Sequence, residues 1–511
     1  MPGRTLFLAL TAPDPGVRSV DLPAMLARGG LLAVGLLVCA LAAAPAEAAP
    51  ARPQVQSIAS TDGVRVAIRR TEYGIPHIIG SSFRDVGYGY GYAFAQDNIC
   101  TIASSYVTVR AERARFFGAD KSWRFEGNGS TVNNLNSDFF FQRIIDKRTV
   151  EEMLAKPPPD GPRPEVREGV RGYVAGYNRY LRDTGVANLP DPTCRGQEWV
   201  RPIREIDVYR YFYKLALLAS SGVAIDGIAG AQPPTPPLAL GAEADVSEQI
   251  GLIESNLDRF KLGDLGSNAY GLGGDVTADG HGMVLGNPHF PWQGSQRFYQ
   301  SHLTIPGKVD VAGASLFGVP IVLIGHTQKF AWSHTVSTAR RFTPFELKLV
   351  PGSPTAYLYD GQPRQMSADN VTVKVRGPGG ALEDRTRTLY STVHGPVFDS
   401  ILGLPLFPWT SAQAHAMGDA NAANFRYLNH FLETNMAQSV REYDRVLRRN
   451  QGIPWVNSIA ADSTGEAYYA DIGVVPNVSN AKAAACNTAL GTQTTQLLGI
   501  PILDGSRTAC R

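Results

Sequence analysis

Two hydrophobic periodicities meet at Ser267, and that meeting point bounds what the chain can fold into. Upstream, apolar residues recur at helical spacing, as at Val86, Tyr90 and Ala93 within 81–115, and further helical runs fall at 148–155, 164–182 and 203–219. The breaker Pro157-Pro158-Pro159-Asp160-Gly161-Pro162 separates two of them. Downstream, short turn-bounded strands are predicted at 268–276, 282–286, 297–305, 309–313, 319–324 and 329–334, with more through Tyr390. Before the boundary, the alternation of Val64, Val66 and Ile68 and the turn at Gly74-Ile75-Pro76-His77 read as strands. A mainly helical portion followed by a strand-rich one is an α+β arrangement. Between the two, Ile250, Ile253, Leu257 and Phe260 predict one short amphipathic helix over 245–260, capped by Asp245 or Ser247.

The boundary itself reads LGDLGSNAYGLGG, residues 262–274. A conventional nucleophilic serine sits in G-x-S-x-G on a strained strand-to-helix elbow, and Gly266-Ser267-Asn268-Ala269 lacks that spacing. Thr277-Ala278-Asp279-Gly280 is a turn signal, and Ser267 and His289 lie about equally far on either side of it. Antiparallel pairing would then bring the two face to face, the plain alternative being two ordinary strand residues. The glycine-tyrosine run from Gly87 to Tyr92 lacks the G-x-G-x-x-G spacing of a nucleotide loop and is assigned to close helix packing.

At 511 residues the chain exceeds one ordinary core, so one very large domain or two to three smaller ones are expected. Its 48 basic and 46 acidic side chains leave a formal charge of +2, which favours neither nucleic acid nor an anionic membrane as partner. The nine histidines are scattered without an H-E-x-x-H, and no C-x-x-C occurs, so no metal and no cofactor are expected. The apolar run 30–44, followed by Ala46-Glu47-Ala48, predicts a signal peptide over 1–48 and export to the periplasm or the medium. Met25, directly before MLARGG's basic residue and the apolar run, is the expected initiator; an uncleaved anchor is the alternative. Loss of Cys39 with the leader would leave Cys100, Cys194, Cys486 and Cys510, an even number that suggests two disulfides in an exported chain. Proximity favours Cys100 with Cys194 and Cys486 with Cys510, although four cysteines allow three pairings.

Several short words occur in a fixed order. Gly74-Ile75-Pro76-His77 and Gly91-Tyr92-Ala93-Phe94-Ala95-Gln96-Asp97 come first, then Gly266-Ser267-Asn268-Ala269. Gly286-Asn287-Pro288-His289-Phe290-Pro291-Trp292, His302-Leu303-Thr304-Ile305-Pro306-Gly307 and Ala331-Trp332-Ser333-His334-Thr335-Val336 follow. From about Val55 to Arg511 the chain resembles the penicillin acylase family of N-terminal-nucleophile hydrolases, in its acyl-homoserine-lactone acylase and aculeacin acylase branch. The resemblance implies a four-layer αββα sandwich, with a helical small subunit over 49–240, an excised spacer over 241–266 and a strand-rich large subunit from Ser267. It further implies that the chain cuts itself between Gly266 and Ser267, giving a heterodimer of its own fragments that hydrolyses a small-molecule acyl amide. A fatty acyl chain on a lactone or peptide is the leading substrate, and an aromatic-acyl β-lactam comes second.

By the same resemblance, Ser267 is the nucleophile and its freed amine the base, while His289 orients that amine. Val336 supplies a backbone N–H to the oxyanion hole, and Phe290 and Phe298 line the acyl pocket, plain core packing being the alternative for both. The family's second oxyanion donor is an asparagine far downstream of the serine, and no residue of 268–511 is assigned to it. The stretch Asp504-Gly505-Ser506-Arg507-Thr508-Ala509-Cys510 lies mid-way through the large subunit in relatives, so the chain is expected to be C-terminally truncated. A non-catalytic remnant that binds acyl compounds is therefore the competing expectation.

Overall fold

The computed structural model describes residues 54–59, 63–235, 244–260 and 266–511; the expected leader at 1–48, with Met25 and Cys39, lies outside them. Alternating apolar residues in Arg65–Arg70 and Pro76–Gly80 bury Val66, Ile68 and Ile78 on one face of a nine-stranded sheet. The strand order is Gln54–Ala59, Arg65–Arg70, Pro76–Gly80, Phe298–Ile305, Val309–Leu316, Ile324–His326, Phe330–Val336, Val456–Asp462 and Ala467–Ala470. Every neighbouring pair is antiparallel except Pro76–Gly80 with Phe298–Ile305, which is parallel and sets His77 opposite His302. The sheet thus draws strands from both sides of residue 266, and Arg52–Arg511 forms one compact unit.

The helix Phe83–Val109 lies on that sheet and against the helix Pro164–Thr184. Its glycines explain how closely. A Cβ on Gly89 would run into Val66 and Ile78, and one on Gly87 or Gly91 would collide with a carbonyl oxygen of Gly169 or Tyr173. Gly172 and Gly176 meet the first helix in the same way, so the two backbones touch where side chains would hold them apart. The glycine-tyrosine run is therefore a packing device, as expected. Disulfides join Cys100 of the helix Phe83–Val109 to Cys194 beyond Pro164–Thr184, and Cys486 at the end of the helix Asn480–Cys486 to Cys510, with Cα separations of 5.4 and 5.5 Å.

The serine lies on a separate two-stranded sheet, Gly266–Leu272 with Met283–His289. This hairpin packs across Phe330–Val336, Val456–Asp462 and Ala467–Ala470 through an inner face of small residues. There Gly271 lies under Ala460 and Gly286 under Ser333, too close for any side chain. Tyr270, Met283 and Leu285 point outward and are exposed.

Four local expectations are corrected. The helix over 245–260 is two helices, Val246–Glu254 and Leu257–Phe260, because Ser255 and Asn256 turn their side chains back onto the Gly251 and Leu252 carbonyls at 2.7 and 2.9 Å. Its cap is Asp245, one of the two residues expected, which accepts from the Ser247 and Glu248 N–H groups. The strand at 319–324 shrinks to Ile324–His326, since Pro320 has no N–H for a ladder. The strands at 268–276 and 282–286 shift to Gly266–Leu272 and Met283–His289, so the serine begins a strand rather than preceding one.

Helices Asn134–Asp146, Arg426–Thr434 and Val440–Asn450 were not anticipated. The last opens on Ser439, whose hydroxyl accepts from the Glu442 N–H. Among the described residues no single helix is long and apolar enough to cross a membrane.

Candidate active site

Gly266 and Ser267 open the first strand of the hairpin, and the register pairs Gly266 with His289 and Ser267 with Pro288. The expected facing of Ser267 and His289 is therefore off by one residue. Side chains alternate along a strand, so this single step sends the His289 ring to the face opposite the serine side chain. The cause is the connection. It is a ten-residue stretch, 273–282, docked on a neighbouring turn by Gly274 N–H to Gly465 O and Gly282 N–H to Asp462 O, both 2.9 Å, so it does not fold symmetrically about position 278.

The backbone restores the link that the ring does not make. The His289 N–H donates to Ser267 Oγ at 3.3 Å, and Ser267 Oγ in turn donates to the Gly266 carbonyl at 2.5 Å. The serine hydroxyl thus lies on the peptide bond that precedes it. His289 Nδ1 would be 3.9 Å from a Cβ placed on Gly266, which puts the ring beside the same bond from the other face.

Ser267 also opens onto an apolar cavity of about 70 Å³. Phe290, Phe298, Val336 and Trp455 form walls, and Phe212 and Leu215 of the helix Glu205–Ala216 close it from the N-terminal half. The Phe290 ring stacks on Trp455 with centroids 5.8 Å apart and meets Phe298 at 5.4 Å. Trp455 is held by its indole N–H, which donates to Leu215 O at 3.0 Å. His334, on the same wall, donates through Nδ1 to Asn457 O at 2.8 Å, and burial pushes its pKa down to about 4, so it stays neutral. An uncharged imidazole among aromatic rings keeps the cavity suited to hydrocarbon.

The structure therefore gathers Ser267, Phe290, Phe298 and Val336 around one cavity and leaves the His289 ring outside it, in a cleft of about 950 Å³ with mixed polar and apolar walls. Sequence reasoning missed Trp455, Phe212 and His334. Trp455 and Phe212 carry no motif, and only the shared cavity relates them; His334 lay inside a quoted word without a role.

Asp258 and Arg259, in the segment before Ser267, line this cleft. The first helix of that segment is anchored by Ile253, which is buried, and by Gln249 Nε2 on Leu406 O at 2.6 Å. Arg259 and Phe260 then line a second opening together with Phe290, Val336 and Trp455. Among the described residues, no group of three or more His, Cys, Asp or Glu side chains is placed to hold a metal ion.

Comparison with known proteins bears on this geometry. The family model described as penicillin amidase matches residues 65–511. The chain is 47% identical to the aculeacin-A acylase of Actinoplanes utahensis over 451 residues, covering 88% of this chain and 55% of that one. It is 40% identical to the acyl-homoserine lactone acylase PvdQ of Pseudomonas syringae pv. syringae, covering 87% and 55%. A solved thermostable penicillin G acylase from Alcaligenes faecalis aligns over 42% of this chain and 37% of its own, at 22% identity and a TM-score of 0.35. The chain spans about half the length of the curated relatives it matches. With nearly all of the sequence after residue 64 matched, the chain belongs to the penicillin amidase family.

Proposed function

We propose that this chain cuts itself between Gly266 and Ser267 and that the new N-terminal serine hydrolyses a linear amide carrying a fatty acyl chain. The observation that carries the reading is the position of Ser267: its hydroxyl lies 2.5 Å from the carbonyl oxygen of the bond to be cut, at the mouth of an apolar cavity. In the first reaction Oγ attacks the Gly266 carbonyl carbon, the C–N bond breaks, and the chain passes through an ester. Water then cleaves that ester, leaving a carboxylate on Gly266 and a free amine on Ser267.

That amine has a reference pKa of roughly 7.7 to 8.0, so it can take the proton from the hydroxyl of its own residue near neutral pH. Oγ then attacks the substrate amide, the leaving amine takes the proton, and water releases the fatty acid from the acyl-enzyme. The His289 ring, beside Gly266, would orient the new amine. The Val336 N–H is assigned to the oxyanion, and Phe290 and Phe298 to the acyl chain. Residues 49–240 would become the small subunit, 241–266 the spacer and 267–511 large-subunit sequence. The serine hairpin, lying on the nine-stranded sheet opposite the helices, would begin the second β layer of an αββα sandwich. Two disulfides and the apolar run 30–44 support export to the periplasm or medium. The aromatic walls around Phe290, Phe298 and Trp455 also fit a short aromatic acyl group on a β-lactam, a second reading that an acyl-chain series separates.

Intact-mass analysis with N-terminal sequencing tests the reading. A fragment beginning Ser-Asn-Ala-Tyr is expected from the wild-type chain and none from Ser267→Ala, which also loses acyl release. Ser267→Cys is expected to cut itself and turn over poorly. Acyl release retained by the alanine variant rejects the nucleophile, and a wild-type chain that stays whole supports the non-catalytic remnant.

A further inference from the structure

The words Gly74-Ile75-Pro76-His77 and His302-Leu303-Thr304 take no part in the chemistry assigned to Ser267, yet the fold brings their histidines into contact. His77 and His302 stand opposite each other on the parallel pair of the nine-stranded sheet. Their neighbours Ile78 and Leu303 are buried towards the helix Phe83–Val109, so both imidazoles stand on the other face. The His302 side chain is 29% exposed there, within reach of a dissolved ion.

Nδ1 of His77 lies 2.9 Å from Nδ1 of His302. The ring centroids are 5.0 Å apart and the ring planes cross at 76°, so the two nitrogens point at each other between the rings. A contact that short between imidazole nitrogens pairs one N–H with one lone pair. The far side of His302 says which is which: Nε2 is 2.7 Å from Asp310 Oδ1, and a carboxylate only accepts. Nε2 therefore carries the His302 proton, and Nδ1 presents the lone pair. Asp310 is itself held, its Oδ2 accepting from Gln328 Nε2 at 3.0 Å and its Oδ1 from Thr304 Oγ1 at 3.4 Å. A carboxylate fixed behind a histidine in this way is the outer partner that metal-binding imidazoles use to set tautomer and orientation.

The separation also selects the metal. At a metal–imidazole distance of roughly 2.0 to 2.1 Å, two nitrogens this far apart subtend about 90° at a shared ion, whereas a tetrahedral zinc site needs them about 3.3 Å apart. A right angle belongs to square-planar or tetragonal sites, the geometry of Cu(II) and Ni(II) with nitrogen and oxygen ligands, and copper binds the more tightly of the two. Each ring needs only to turn about χ2, a broad torsion, to aim its lone pair at the ion.

We propose that His77 and His302 chelate one divalent ion of the copper class through their Nδ1 atoms, with Asp310 holding His302 from behind. Water fills the remaining positions. Binding releases the shared proton to solvent and changes no oxidation state. The two strands lie on opposite sides of residue 266, so the ion joins segments that a cut at Ser267 would separate; the site itself stands whether or not the chain cuts.

The test is titration of the untagged, metal-free full chain with Cu²⁺ at pH 7.5, read by calorimetry and electron paramagnetic resonance. One tight equivalent is expected, with hyperfine coupling to two nitrogens, and Zn²⁺ is expected to bind at least about tenfold more weakly. His77→Gln and His302→Gln should each weaken copper about 100-fold, and Asp310→Asn, which removes no ligand, about tenfold. His326→Gln, which changes an exposed histidine in the same row of the sheet, should leave binding unchanged. Circular dichroism checks that each variant folds, and Asp310→Asn carries the test should a glutamine variant not. Copper held equally by both glutamine variants, indifference to Asp310→Asn, a signal without two-nitrogen coupling, or zinc bound as tightly as copper overturns the proposal.

Discussion

His289 reaches Ser267 through its main chain and not through its ring: the N–H lies 3.3 Å from Oγ, while the imidazole sits opposite Gly266. On the proposed reaction the two contacts would belong to different stages: the N–H would hold the hydroxyl on the bond to be cut, and the ring, beside Gly266, would meet the new amine once Gly266 has left. His289→Ala keeps the N–H and loses the ring, so self-cleavage should persist while acyl release falls by about 100-fold or more, as for a lost catalytic hydrogen bond. Time-resolved intact mass beside an acyl-release assay separates the two; a variant that no longer cuts places the ring in the first step.

The paired glycines of the first two long helices make a second, purely structural prediction. A Cβ on Gly176 would collide with the Tyr88 carbonyl, a backbone atom that cannot yield without moving a helix. Gly176→Ala should therefore cost roughly 1 to 3 kcal/mol, the usual range for overpacking. Gly251, inside the helix Val246–Glu254, faces open space. Gly251→Ala should stabilise that helix by about 0.5 to 1 kcal/mol, since alanine loses less backbone freedom. Urea midpoints for the first and hydrogen exchange in the helix Val246–Glu254 for the second are the measurements.

What the sequence made legible follows the same physics. Close helix packing at Gly87 and Gly91, the change of periodicity at Ser267 and both disulfides are local patterns or small sets of choices, and each can be read from spacing. The hairpin register could not be, because its connection is positioned by Gly465 and Asp462, almost two hundred residues downstream. A turn signal fixes a centre only when the turn is tight, and a shift of one residue reverses every side chain. The cavity was half legible. Phe290 and Phe298 lie close to the serine in sequence, whereas Phe212 and Trp455 come from opposite flanks and share the cavity where the Trp455 indole N–H bonds the helix carbonyl of Leu215. The strand expected at 319–324 failed on Pro320 alone, a local signal overlooked in favour of its apolar neighbours.

Acid sensitivity should be traceable to single histidines. His415 is fully buried, neither ring nitrogen has a hydrogen-bond partner, and burial pushes its pKa down to about 3. Unfolded, the same side chain titrates near 6.5. Between these values the unfolded chain binds a proton that the folded chain refuses, so stability present above pH 6.5 is lost as pH falls towards 3. His415→Leu removes that linkage. The gap between wild type and variant should shift in the variant's favour by about 1.4 kcal/mol for each pH unit below 6.5, reaching roughly 3 kcal/mol near pH 4.5. Denaturant midpoints from pH 7.5 to 4.5 measure it, and parallel curves would show that His415 takes up its proton in the fold as readily as in the unfolded chain.

The apolar cavity beside Ser267 sets the last expectation, because aromatic side chains form much of its wall. Phe298 stands at the start of the strand Phe298–Ile305, half-buried, with its ring against Phe290 and its own strand anchored to Val309–Leu316 from Leu316 onward. Removing that ring should enlarge the cavity without disturbing the ladder, which depends on main-chain groups. Fatty acids longer than the wild-type optimum should then bind better to Phe298→Ala, each further methylene buried adding about 0.8 kcal/mol until the new space is filled. Shorter acids should bind worse, since they lose contact with the removed ring and leave a void. A series of saturated acids from eight to sixteen carbons, titrated by calorimetry, checks both halves. A uniform loss across the series would mean that Phe298 supports Phe290 and does not itself bound the chain.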